Sequence, residues 1–260
     1  MAAAAAFEVK AIGGMPLFAR GMSVAAELVA ALDRGGEALR EGDIVVLAQK
    51  IVSKTEDRLA ALDTVAAGAE AEDLARRTQR PPAIAQLIID ESAEVMRAHP
   101  AAIIARHRTG HVLANAGIDA SNVEGGEGGR VLLWPEDPDV SARAIRAELR
   151  RLTGLGVGVV IADSMGRAWR IGTCGTAIGV AGLAVLDDRR GRDVDLYGRT
   201  LQATVIAIAD SIAAMAVLAM GEGAEGTPAA LVRGAGRWLT EEDGPGAVAG
   251  LRPAEQDMFR

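Results

Sequence analysis

Two short, wholly apolar runs constrain this chain most: Ile44 to Leu47, entered through a Gly-Asp turn, and Val157 to Ala162, followed at once by Asp163 and Ser164. Four to six apolar residues between turn signals match a buried strand and fall short of a buried helix. Strands of this kind need apolar cover, and the chain supplies it in segments of helical period. Ser23 is placed to cap a helix with a Val24, Leu28, Ala31, Leu32 face that stops before Gly35 and Gly36. Two helices are expected after the first strand, the second opening at Pro81-Pro82, where proline suits a first turn. Ser141 is placed to cap SARAIRAELRRLTG, with Ile145, Leu149 and Leu152 as its stripe and Gly154 as its stop. GHVLANAGIDASNV reads as a strand running into a polar turn. Alternating strands and helices predict an α/β or α+β fold. With 260 residues the chain forms one large domain or two small ones sharing a core. The Gly-, Pro- and charge-rich tail, 241–260, is expected to add little to that core.

Composition narrows the class. Half the residues are apolar but only 3% aromatic, so Ala, Val, Leu and Ile must fill the interior. A net charge of −7 argues against non-specific nucleic-acid binding. The single cysteine, Cys174, excludes an intrachain disulfide and a Cys-rich zinc site. It reads as a small core residue in a reducing, cytoplasmic setting. MAAAAAFEVK lacks the basic start of a secretory signal. TLQATVIAIADSIAAMAVLAM approaches the ~20 residues of a membrane span. Its alanine content and the central Asp210 favour a buried helix, and no membrane association is expected.

Several common sites are absent. No G-x-x-x-x-G-K-[ST] loop occurs, and Gly154, Gly156 and Gly158 precede their strand where a dinucleotide fingerprint must follow it. His99, His107 and His111 suggest no triad. His107 and His111 stand four apart, but the Arg-Thr-Gly between them marks a turn, so solvated histidines are expected there and not a zinc pair.

What remains is acidic, basic and glycine-rich. Asp119 in NAGIDASN, Asp163 in IADSMG and Glu222 in MGEGAEG each lie where an apolar element gives way to a glycine-rich turn. Such carboxylates suit hard cations such as Mg²⁺ or Mn²⁺, with plain capping as the alternative. Lys50 and Lys54 share a face if a helix begins after the first strand. Arg167 and Arg170 flank Trp169 in what reads as one short turn after Asp163. Cations beside metal-binding acids are what phosphate handling requires. Arg189, Arg190, Arg192 and Arg199 read as solvated surface. The glycines of MGEGAEGTP allow the backbone to approach a ligand.

Taken together, GGMPLF, GDIVVLAQKIVSKTEDR, NAGIDASNVE, VIADSMGRAWRIGTCGTAIGVAG, DLYGR and MGEGAEGTPAALVRG resemble the coenzyme F-420 γ-glutamyl ligase family. The likeness runs in order to about Gly234. It implies a distinctive fold of mixed sheets and flanking helices, a catalytic unit over 1–240 and a homodimer with the active-site groove near its interface. It further implies that GTP, L-glutamate and a deazaflavin precursor are substrates. GTP contacts are implied at Gly14, Met15, Pro16, Leu17, Gln49, Lys50, Lys54 and Asn122, and along Met220, Gly221, Glu222, Gly223, Ala224, Glu225, Gly226 and Thr227. Asp119, Asp163, Ser164 and Glu222 would hold Mg²⁺ or Mn²⁺ at two sites, with K⁺ as a further cation; Ser164 would offer a hydroxyl or a carbonyl oxygen. Arg167 or Arg170 would hold the precursor or the incoming glutamate. A metal-dependent phosphohydrolase, a nucleotide-sensing module and a ligase for another pterin- or flavin-like acid are the competing expectations.

Overall fold

Strands built from the two apolar runs lie side by side at the centre of the fold. The computed structural model describes residues 6–126 and 129–257. In chain order its elements are β1 (Glu8–Ile12), α1 (Val24–Arg34), β2 (Ile44–Ala48), α2 (Gln49–Thr55) and β3 (Leu59–Ala61). Next come α3 (Ala69–Thr78), α4 (Pro82–Asp90), β4 (Ser92–His99), β5 (Ala102–His107), β6 (Val112–Ala114) and β7 (Arg130–Leu132). The second half holds α5 (Pro138–Thr153), β8 (Gly158–Arg167), β9 (Arg170–Ala181), β10 (Leu186–Asp188), β11 (Val205–Ala207), α6 (Ile208–Met220) and β12 (Ala229–Arg233). The main sheet runs β1-β12-β2-β8-β9, with only β2 and β8 parallel. The architecture is therefore mixed α and β, as the alternation predicted.

Residue alternation along the sheet divides the core into two layers. Val45, Leu47, Val159 and Ile161 face α1 and α5, and Ile44, Val46, Val160 and Ala162 face α6. Both faces are covered, which is why these strands read as unbroken apolar runs. A smaller lobe between β2 and α5 packs α3 and α4 on the β4-β5-β6 sheet around Leu74, Ile88 and Ile103. The β4–β5 hairpin has no counterpart in the sequence reading; its strands mix polar and apolar residues without a clean period.

Several boundaries differ from expectation. Helix α5 starts at Pro138, because the Asp137 side chain accepts hydrogen bonds from Asp139 and Val140 N–H groups and so caps the helix four residues before Ser141. Leu152 is 40% exposed, off the buried stripe. Strand β8 does not end at Ala162 but continues into a hairpin with β9, carrying Arg167 and Arg170 to its tip. Helix α6 begins only at Ile208, which puts Asp210 in its first turn, bonded to Ala177 N–H of β9 at 3.0 Å. Among the described residues, no helix is long and apolar enough to cross a membrane. The tail packs where it was expected to add little. Ala247 is a core residue, and the buried Asp139 carboxylate accepts from both Val180 N–H and Ala247 N–H. His107 and His111, expected to be solvated, are 0% and 2% exposed against the Trp134 ring. Cys174 lies half-buried on the hairpin opposite Met165 instead of in the core.

Candidate active site

The parallel pairing of β2 and β8 is what gathers the site. Ala48 stands opposite Ala162, so Gln49 and Lys50, opening α2, emerge beside Asp163. Carboxyl ends of adjacent parallel strands, where side chains and helix starts meet, are the usual ligand position in α/β sheets. Lys50 and Lys54 lie one turn apart on α2, as their spacing predicted.

Asp119 arrives from the smaller lobe. Residues 115–117 form a left-handed turn, with φ of 52°, 50° and 75° at Asn115, Ala116 and Gly117. Asp119 then pairs its backbone with Leu132 at 3.1 and 2.8 Å. Its carboxylate accepts Lys50 Nζ at 2.7 Å and the Ser121 N–H and hydroxyl at 2.7 and 2.8 Å. Burial pushes the Asp119 pKa up, but Lys50 and Ser121 outweigh it and hold the group below its ordinary value. Lys50 Nζ also reaches Ser121 Oγ at 2.5 Å. Lys54 Nζ donates to Asn122 O at 2.8 Å. Burial and the charge of Lys50 pull the Lys54 pKa down, partly opposed by Glu124.

Asp163 is held differently. Its Oδ1 accepts Ser164 N–H and its Oδ2 accepts the Trp134 indole N–H, each at 2.8 Å. Burial pushes its carboxyl up to about 6, against the Trp134 and Ser164 hydrogen bonds and the charge of Lys50.

The glycine-rich loop after α6 closes a third side. Asn122 Nδ2 donates to Gly223 O at 3.1 Å. Within the loop, Gly223 N–H donates to Glu225 Oε2 and Thr227 Oγ1 to Met220 O. Glu222 and Ala224 are exposed. The Gly14–Leu17 segment runs alongside: Arg34 holds Gly14 O at 2.8 Å, and a Cβ on Gly13 would lie 3.5 Å from Thr227. Leu17 is 93% exposed, while Met15 packs on the core.

Other expected residues are placed differently. Gln49 is buried, its amide on Ser53 Oγ and Leu133 O, so its side chain faces the interior. Ser164 pairs with Gly175, whose own Cβ position abuts α6, so the Ser164 hydroxyl points to the sheet face opposite Asp163. Only its main chain adjoins the acid. Arg167 and Arg170 sit four or more residues beyond Asp163, roughly 13 Å along an extended strand. Arg167 bonds the Ile171 and Gly172 carbonyls there. Among the described residues, no group of three His, Cys, Asp or Glu stands close enough together to hold a metal ion. Lys50 contacts Asp119 and acts on Asp163 through its charge alone, and Glu222 is exposed on its tethered loop. Oxygen donors of this type fit a hard cation, and Lys50 marks the electrostatic demand for positive charge between them.

Sequence reasoning missed Trp134, Arg58, Glu91, Ser121 and Arg34. Trp134 was visible only as a rare aromatic in LLWPEDPD; Ser121 lay within NAGIDASN; the others carried no local signal.

Comparison with known proteins places this arrangement. Residues 14–234 match the F420-0:Gamma-glutamyl ligase family. A coenzyme F420:L-glutamate ligase of Methanothermobacter thermautotrophicus is 43% identical over 96% of this chain and 97% of its own length. The ligase of the same name from Archaeoglobus fulgidus is 42% identical over 97% and 96%, and that of Methanopyrus kandleri 45% over 85% and 87%. An acid- and lysine-lined site on a mixed α and β fold, with relatives of these names, makes the chain an amide-forming ligase. It belongs to the F420-0:gamma-glutamyl ligase family.

Proposed function

We propose that this chain joins L-glutamate, through its amine, to the terminal carboxylate of coenzyme F420-0, using GTP and a divalent cation and releasing GDP and phosphate. The observation that carries the proposal is the meeting of Asp119, Asp163, Lys50, Lys54 and Asn122 where the β2–β8 pairing ends, with the Gly223 loop against them. An unactivated carboxylate is a poor acyl donor. The γ-phosphoryl group of GTP therefore passes to the acceptor's terminal carboxylate, giving an acyl phosphate and GDP. The glutamate amine attacks the acyl carbon, phosphate leaves, and the amine loses a proton to solvent or a nearby base.

Every reactant is anionic, so the chain's contribution is positive charge and fixed orientation. Lys50 and Lys54 attract the phosphates, and Asn122 fixes the loop that lies along them. Asp119, Asp163, the main chain at Ser164 and Glu222 would hold Mg²⁺ or Mn²⁺, which screens triphosphate charge when bound. K⁺ joins the two divalent sites as a further cation. Arg167 and Arg170 reach substrate only from the hairpin tip.

That tip also favours a homodimer. Trp169 and Ile171 are 90% and 102% exposed on the hairpin, and Leu196 and Tyr197 are 101% and 85% exposed in the connection between β10 and β11. Exposed apolar surface of this kind suits burial against a second copy. Sedimentation of I171D should shift the protein toward monomer, and a wild-type monomer would remove this part of the proposal.

One assay tests the reaction. Purified protein with F420-0, L-glutamate, GTP and Mn²⁺ should yield a product heavier by one glutamyl residue, with GDP and phosphate in equal amount. Phosphate release that is independent of glutamate would instead make it a phosphohydrolase.

A further inference from the structure

Trp134 stands between the lobe that carries Asp119 and the strand that carries Asp163. Its ring is fully buried, 5.0 Å from the His107 ring and 5.5 Å from that of His111. Its carbonyl accepts Arg58 Nε at 2.8 Å, and Arg58 is gripped through both oxygens of Glu91. Gly117 lies so close that a Cβ there would fall 2.4 Å from the indole nitrogen. Packed against these groups, the indole donates its N–H to Asp163 Oδ2 at 2.8 Å.

A buried tryptophan N–H needs an acceptor, and a main-chain carbonyl would serve. Here the acceptor is a carboxylate of the site. With Ser164 N–H on its other oxygen, Asp163 is held in one orientation while each oxygen keeps lone pairs for a further partner. Outer groups that orient a ligand in this way are worth 10- to 100-fold in metal affinity or activity.

We propose that Trp134 is a positioning residue: its indole N–H aims the Asp163 carboxylate at the cation and, through Gly117 and the two histidines, ties that aim to the lobe bearing Asp119. This rests on the reading of Asp163 as a cation ligand.

The test is titration of the metal-free protein with Mn²⁺ alone, for wild type, W134F and D163N. W134F keeps an aromatic ring in the pocket and removes the N–H. It should melt within a few degrees of wild type without metal, yet bind Mn²⁺ about 10- to 100-fold more weakly, while D163N loses binding. If W134F binds as tightly as wild type and D163N does not bind, positioning is overturned and the metal reading stands. If D163N behaves as wild type, whether both bind or neither does, both readings fall. A variant-free measurement covers a W134F that fails to fold. With the other indole signals assigned through W169F and W238F, the Trp134 N–H resonance should shift as Mg²⁺ saturates the wild-type protein. A resonance that stays fixed while backbone signals around Asp163 move would overturn the proposal.

Discussion

Asp163 and Asp119 carry the same functional group on opposite sides of one site, and the fold treats them in opposite ways. Asp163 sits on the central strand β8 just past its pairing with β2, with a fully buried indole and its neighbour's N–H on its two oxygens and, among the described residues, no ion pair. Asp119 sits on a loop, held by Lys50 and by the exposed residue Ser121. Burial dominates the first and raises its pKa to about 6; charge pairing dominates the second and lowers it. One side of the site is thus fixed before any ligand arrives. The other is built of contacts that a ligand can exchange.

That contrast predicts unequal sensitivity. Replacement of the fixed acid should be the most damaging: D163A should lower kcat/KM by about 10³-fold or more, since it removes preorganised charge, as initial rates with GTP would reveal. Unchanged turnover would end the assignment of Asp163 to the site.

Next in size is the pairing that supports the fixed side from behind. Arg58 and Glu91 are both largely buried, with His107 3.5 Å from the same carboxylate. Burial pushes Glu91 up, but His107, Arg58 and Arg108 outweigh it and keep it ionised. R58M removes the partner on both Glu91 oxygens, leaving Arg108 at 3.2 Å and His107 at 3.5 Å, and should cost about 1–3 kcal/mol in urea unfolding. A loss below ~1 kcal/mol would mean that the smaller lobe is not braced through this pair.

On the exchangeable side, K50M should lower kcat/KM for the nucleotide by about 10- to 100-fold, with a melting temperature close to that of wild type. An effect as large as that of D163A would erase the distinction between the two sides.

The smallest effect is on stability against pH. The raised pKa means that folded Asp163 keeps a proton which the unfolded chain, at 3.8, has released. Metal-free stability from this group is therefore present below pH 4 and is lost as pH rises from about 4 through 6. D163N lacks that loss, so at pH 7.5 without metal it should melt a few degrees above wild type. Equal melting temperatures across pH 4 to 8 would show that the carboxylate pays no penalty for burial.

Legibility in the sequence followed the range of the forces involved. Local ones were readable: the apolar runs of β2 and β8, the Ser23 cap of α1 and the Gly154 stop of α5 depend on neighbours within a turn or two. Asp137 was passed over as the cap of α5 because Ser141 offered a plausible one nearby. The β4–β5 hairpin was missed because its alternation is broken by register shifts at Ser92/Glu94 and Val95/Arg97.

By itself the sequence determined the mixed fold class, the family and the residue types that meet in the site. It could not decide that β2 and β8 run parallel, that Ser164 turns its hydroxyl away from Asp163, that Gln49 is buried or that Trp134 ends on Asp163. The β2–β8 pairing joins residues 114 positions apart, and the Trp134–Asp163 hydrogen bond residues 29 apart. Their partners are chosen by shape and burial across the whole molecule, and no local pattern encodes that choice.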